Sequence, residues 1–165
     1  MEIRLFRESD SREAVSRLYA ESWRSVYRGL LPAEFLVFIP VASSAGRLAG
    51  RPDRITLLAL EEDTVCGLLA YGASRSPEFK GESEIYSLYV LPDRFHEGIG
   101  SELLSEALKR LRASGARCVY LWVLEENERA RGFYEYHGFF RTPVVREDRI
   151  AGHTLRELRY ILTLT

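Results

Sequence analysis

Apolar positions along the 165-residue chain change their period several times, and each change predicts an element. "MEIRLFR" alternates apolar and polar residues and predicts a strand. Asp10 followed by Glu13 has the form of a helix start. From there Val15, Leu18, Tyr19, Ser22, Trp23, Val26 and Tyr27 follow a 3.6-residue period, which predicts a helix with one buried face. Gly29 and Pro32 end it. A less regular helical segment is expected from Glu34 to Leu48, interrupted at Pro40. "RITLLALEED" and "TVCGLLAYGAS" are apolar runs joined at Glu62-Asp63, the pattern of a hairpin. "SEIYSLYVLP" is a further strand, rich in aromatic and branched residues and stopped at Pro92.

After Gly100, Leu103, Leu104, Ala107, Leu108 and Leu111 make a helical stripe, with Glu102, Glu106, Lys109 and Arg110 on the wet face and Gly115 as the stop. "RCVYLWVL" predicts a strand, "NERARGFYEYHG" a short helix ending at Gly138, and "FFRTPVV" and "LRELRYILTL" the last two strands. The two runs "IYSLYV" and "CVYLWV", joined through a helix, should be parallel with a right-handed crossover, and the hairpins antiparallel. The order predicts an α/β (α+β) mixed-sheet domain, and the length fits a single domain over residues 1–165.

Composition narrows the partners. With 23 basic and 24 acidic residues there is no announced basic face, which argues against nucleic acid as the main partner. No apolar run approaches 20 residues, so no membrane span is expected. The charged start lacks the apolar core of a signal peptide. Cys66 and Cys118 lie in apolar runs and read as reduced, buried thiols, which fits a cytoplasmic protein. His96, His137 and His153 show no metal-ligand spacing, and no metal is expected.

"LPDRFHEGIGSELL" carries the first chemical signal. Gly98 and Gly100 stand between a strand and a helix, where unpaired backbone N–H groups and the helix dipole favour an anion. A plain turning loop would use the same glycines. The Walker pattern is absent, and the dinucleotide pattern fails where Leu103 replaces its third glycine. Seven residues, Leu91 to Glu97, also separate Val90 from Gly98, too many for a dinucleotide turn. Glu125 and Glu126, after the next strand, keep a nucleotide-binding oxidoreductase as an alternative.

Two blocks taken together go further. "EIYSLYVLPDRFHEGIGSELLSEAL" followed by "YLWVLEENERARGFYEYHGFF" resembles the GNAT superfamily of acyl-CoA N-acyltransferases. That signature is a strand, a loop with Arg/Gln-x-x-Gly-x-Gly/Ala, and a helix. A second block follows, here Asn127, Ala130, Phe133-Tyr134 and Gly138-Phe139. "ESWRSVYRGLLP" is similar to the substrate-side helix of many members. The chain departs from the signature at Phe95, usually Arg or Gln, and at His96, often Gly. Arg94, one residue earlier, could offer charge instead.

The resemblance implies a mostly antiparallel central sheet with a splayed parallel strand pair, flanked by helices, and acetyl-CoA wedged in the splay without a metal. The backbone of Leu88, Tyr89 and Val90 would bond the pantetheine arm, as an added strand does. Phe95, His96, Glu97, Gly98, Ile99, Gly100 and Ser101 would hold the pyrophosphate. Asn127, which alone reads as a helix cap, and Ala130 would contact the coenzyme arm. Tyr134, at core spacing with Ala130, Phe133 and His137, would be the general acid that protonates the departing thiolate. Glu84 or Tyr86, on one face of their strand, would be the base. Trp23, Tyr27, Leu31 and Tyr86 would line the acceptor pocket, with helix packing as their other reading.

The activity implied is direct transfer of acetyl to a primary amine of a small molecule or a protein. A second reading is an acyl-CoA-binding sensor with little catalysis. A homodimer could form through an exposed final strand.

Overall fold

The computed structural model describes residues 1–37, 53–150 and 152–165. In chain order these form β1 (Glu2–Leu5), α1 (Arg12–Tyr27), α2 (Ala33–Val37), β2 (Ile55–Glu61), β3 (Thr64–Ala73) and β4 (Ser83–Val90). There follow α3 (Ile99–Ala113), β5 (Cys118–Leu124), α4 (Glu128–Tyr136), β6 (Phe140–Ile150) and β7 (His153–Thr163). Most of the expected Glu34–Leu48 helix lies outside the described residues; α2 is its described beginning.

The strands make one sheet ordered β1-β2-β3-β4-β5-β7-β6. Every neighbouring pair is antiparallel except β4–β5, which is parallel across the α3 crossover. The β2–β3 hairpin turns at Glu62 and Asp63, both with positive φ (47° and 64°), the combination a two-residue turn of matching twist requires.

Helices cover both faces, which explains why β2 and β3 read as nearly continuous apolar runs. Leu57, Ala59, Leu69 and Tyr71 face α3, packing with Leu103, Leu104, Ala107 and Leu111. Leu58, Leu60, Leu68 and Ala70 face α1 through Val15, Leu18 and Tyr19. Ser11 caps α1, its side chain accepting a bond from the Ala14 N–H at 3.2 Å. Cys66 is buried as expected, whereas Cys118 at the start of β5 is only half-buried.

The last two strands are longer than their apolar pattern. Alternation fades after Val145, but the ladder continues through Arg146↔Glu157 and Glu147↔Arg156, where opposite charges face each other across the hairpin. The final strand, β7, also lies inside the sheet between β5 and β6. It therefore has no free edge, which corrects the expectation that it could pair two copies; the outer strands are β1 and β6.

Two irregularities open the sheet. Ala70 faces Ser87 and Tyr71 faces Ile85, so Tyr86 is the extra residue of a β-bulge in β4. The parallel ladder between β4 and β5 holds only Ser83↔Val119 and Glu84↔Tyr120, and beyond these pairs the strands part.

Close packing beneath the opening depends on Gly67. A Cβ there would stand 2.9 Å from Ile99 Cγ2 and 3.0 Å from Leu103 Cδ1. Gly67→Ala should push α3 off the sheet and destabilise the fold by about 1–3 kcal/mol, read as a lower urea midpoint at an unchanged slope.

Candidate active site

The parted strands enclose a cavity of about 620 Å³. Ile85 to Val90 line one wall and Leu121 to Leu124 the other. Past Glu84, β4 has ladder partners on its β3 side alone. The molecule thus carries an internal strand edge, able to pair with an extended ligand that has amide groups of its own.

At one end of this edge α3 begins. Its N-cap is Gly98, in the left-handed conformation at φ 84°, and no side chain caps the helix. The ladder starts with the Glu102 N–H donating to the Gly98 carbonyl, so the N–H groups of Ile99, Gly100 and Ser101 have no intrahelical acceptor. Gly98, Ile99, Gly100 and Ser101 line the cavity, and an anion fits there. His96, where a glycine is common, is itself left-handed at φ 67°, a conformation that costs a side-chain-bearing residue about 1 kcal/mol.

The α4 wall carries the titratable groups. Asn127 accepts a bond from the Ala130 N–H at 3.2 Å and lines the cavity, so the cap and the cavity position coincide. Tyr134 is 8% exposed, its ring packed edge-on against Phe133 and Phe139. Burial, reinforced by Tyr89 and partly offset by Arg129, pushes the Tyr134 phenol well above its ordinary value of 10. It therefore stays protonated, and among the described residues its hydroxyl has no hydrogen-bond partner. His137 Nε2 lies 3.0 Å from Ser101 Oγ, tying the end of α4 to the start of α3. Burial lowers the His137 pKa below 6.5, which keeps the imidazole neutral at pH 7.

The residues expected from sequence divide. Leu88, Tyr89, Val90, Phe95, His96, Gly98, Ile99, Gly100, Ser101, Asn127, Ala130 and Tyr134 come together along the cavity, and Tyr27 and Tyr86 line it too. Trp23, Leu31, Glu84 and Glu97 are not in its lining. Trp23 stands behind Tyr27, ring centres 4.4 Å apart, and Leu31 packs with Tyr27, Leu36, Leu124 and Leu155. Glu97 pairs with Arg94 at 2.6 Å, and Arg94 also pairs with Glu61, so its charge is held by two carboxylates.

Glu84 is the clearest displacement from expectation. The bulge at Tyr86 breaks the alternation that would have put the two residues on one face. The Glu84 carboxylate is 1% exposed and takes bonds from the Arg75 N–H (2.9 Å), the Arg75 guanidinium (2.8 Å) and the Tyr120 hydroxyl (3.1 Å). It clamps β5 and the β3–β4 loop at the vertex of the opening. The Tyr86 hydroxyl donates to the Ala73 carbonyl at 2.5 Å.

Sequence reasoning passed over Arg75, Trp122, Arg129, Arg146 and Glu157, all of which line the cavity. The Arg146 guanidinium lies over the Trp122 ring, 4.3 Å from its centre, and pairs with Glu157. Only the insertion of β7 beside β5 brings Arg146 and Glu157 to the site.

An internal strand edge leading to a bare helix start suits a long ligand with an amide-bearing arm and a phosphate end, and the class so defined is a coenzyme-dependent group transferase. Comparison with known proteins gives the family. The Acetyltransferase (GNAT) family matches residues 12–139, and the chain belongs to it. It is by class an acetyl-CoA-dependent N-acetyltransferase, which sets aside the oxidoreductase alternative.

An uncharacterized N-acetyltransferase of Archaeoglobus fulgidus is 32% identical over 136 residues, spanning 81% of this chain and 89% of that one. The uncharacterized N-acetyltransferase YuaI of Bacillus subtilis (strain 168) is 27% identical over 147 residues, 87% of this chain and 83% of that one. Among solved structures, the paia N-acetyltransferase of Thermoplasma acidophilum, in complex with coenzyme A, shares the fold with a TM-score of 0.72 at 24% identity. That match covers 95% of this chain and 98% of the other.

If Glu84 is the clamp, Glu84→Gln should lower stability by about 1–3 kcal/mol, because it leaves the Arg75 charge without its partner. Chemical denaturation checks this; unchanged stability with a collapsed turnover would mark Glu84 as a base instead.

Proposed function

We propose that this chain transfers acetyl directly from acetyl-CoA to a primary amine of a small molecule or a peptide. The reading takes residues 1–165 as one domain acting in the cytoplasm; among the described residues no helix is long and apolar enough to cross a membrane. The observation that carries it is Tyr134, a phenol kept protonated by burial on the wall of the cavity the parted strands enclose.

The site fits the coenzyme. The stretch of β4 from Leu88 to Val90, past the end of its ladder with β5, suits the amides of the pantetheine arm, and the uncapped start of α3 suits the pyrophosphate. The Asn127 amide N–H groups remain for the arm, since its oxygen caps α4. Bound acetyl-CoA supplies an activated acetyl thioester whose leaving group is a thiolate. The Tyr134 hydroxyl gives its proton to that sulfur as the bond to carbon breaks.

The acceptor half of the cavity has aromatic walls in Tyr27, Tyr86 and Trp122, and its one lining carboxylate among the described residues is Glu157. Glu157 is already paired with Arg146, so it bonds the acceptor's ammonium group only in exchange for that partner. Trp122 Nε1 is buried and, among the described residues, has no hydrogen-bond partner.

Tyr134→Phe should reduce kcat by about 10²–10⁴-fold while acetyl-CoA affinity, measured by calorimetry, stays within about twofold. An unchanged kcat would remove Tyr134 from the chemistry. A general acid works only while protonated, so activity dependent on it is lost as pH rises through its pKa. Because burial raises that pKa above 10, the wild-type plateau should extend past pH 10, where an unperturbed phenol would already have cost half the rate. Wild-type protein that binds acetyl-CoA but acetylates nothing in a broad amine panel would favour the sensor reading.

A further inference from the structure

Four arginines line the cavity: Arg75, Arg94, Arg129 and Arg146. Three are already held by carboxylates, Arg75 by Glu84, Arg94 by Glu61 and Glu97, and Arg146 by Glu157. Arg129 differs: among the described residues it has no carboxylate partner. Its guanidinium carbon instead lies 3.9 Å from the centre of the Phe95 ring. Arg129 is the second residue of α4, while Phe95 belongs to the loop between β4 and α3. The contact therefore carries a cation from one wall of the cavity to the loop that leads into the bare helix start.

The chemistry of this contact suits a phosphate. A guanidinium resting on an aromatic face is held by the ring's quadrupole and keeps its N–H donors for a second partner. Those donors form a rigid fork that matches two phosphate oxygens. The loop itself has no free cation to offer, since Arg94 is held and position 95 is a phenylalanine. The α3 start adds backbone N–H groups but no full charge, whereas a pyrophosphate brings two negative charges.

We propose that Arg129, braced on Phe95, is the side-chain cation that binds the pyrophosphate of the coenzyme. This rests on the coenzyme reading given under Proposed function.

Calorimetric titration of wild type, Arg129→Ala, Arg129→Lys and Phe95→Ala with coenzyme A, 3′-dephospho-coenzyme A and pantetheine tests it. Arg129→Ala should weaken coenzyme A and the dephospho form equally, by roughly ten- to a hundredfold, and leave pantetheine unaffected. Arg129→Lys should recover part of the loss, because the charge remains without the planar fork. Phe95→Ala should show the same ligand pattern at a few-fold. Thermal melting without ligand checks that each variant is folded.

Wild-type affinity for coenzyme A in Arg129→Ala would overturn the assignment. A loss confined to coenzyme A and absent with the dephospho form would overturn it too, since the contact would then be to the ribose phosphate. An equal loss with pantetheine would mean that the cavity wall, not a phosphate contact, had been damaged. Wild-type protein that binds none of the three would instead defeat the coenzyme reading itself, and the proposal with it.

Discussion

β4 and β5 meet through two residue pairs and then separate, and every feature of the site hangs on that parting. A parallel pair normally continues its ladder as long as both strands last. Here the bulge at Tyr86 bends β4, and the buried Glu84 carboxylate fixes the vertex by holding Arg75 and the Tyr120 hydroxyl together. The vertex is stiff because a buried carboxylate with all its bonds made is costly to disturb. The rest of β4 is left with backbone groups that have no neighbouring strand, inside a cavity rather than at the outside of the sheet.

That geometry puts different chemistry at different points along one slot. The α3 start and the Arg129–Phe95 contact give one end an affinity for negative charge. The α4 wall carries groups that burial keeps neutral, the Tyr134 phenol and the His137 imidazole. The far end holds the matched charges of Arg146 and Glu157 among aromatic rings. A proton donor is most useful where neither water nor a counter-charge competes for its proton, and Tyr134 stands in that place.

Much of this order is written in the apolar pattern. The period of Val15 to Tyr27 gave α1, the paired runs around Glu62-Asp63 gave a hairpin, and the stripe from Leu103 to Leu111 gave α3. Gly98 was legible because only a residue tolerant of positive φ serves at that N-cap. What stayed hidden depends on which strands become neighbours. Nothing local in "LRELRYILTL" says that β7 enters between β5 and β6, so Arg146 and Glu157 could not be seen as cavity residues. Nor does alternation reveal a bulge, and Glu84 therefore read as a partner of Tyr86 rather than as a buried clamp. Arg129 drew no reading from the sequence, because its contact is with a ring 34 positions earlier, Phe95.

The most direct test of this account is backbone hydrogen–deuterium exchange with and without saturating coenzyme A. The account predicts that the amides of Leu88 and Val90 and of Gly98 to Ser101 slow together on binding, because the ligand bonds the β5-facing side of β4 and the α3 start. Binding that leaves both segments exchanging as before, or that protects some other part of the sheet, would contradict it.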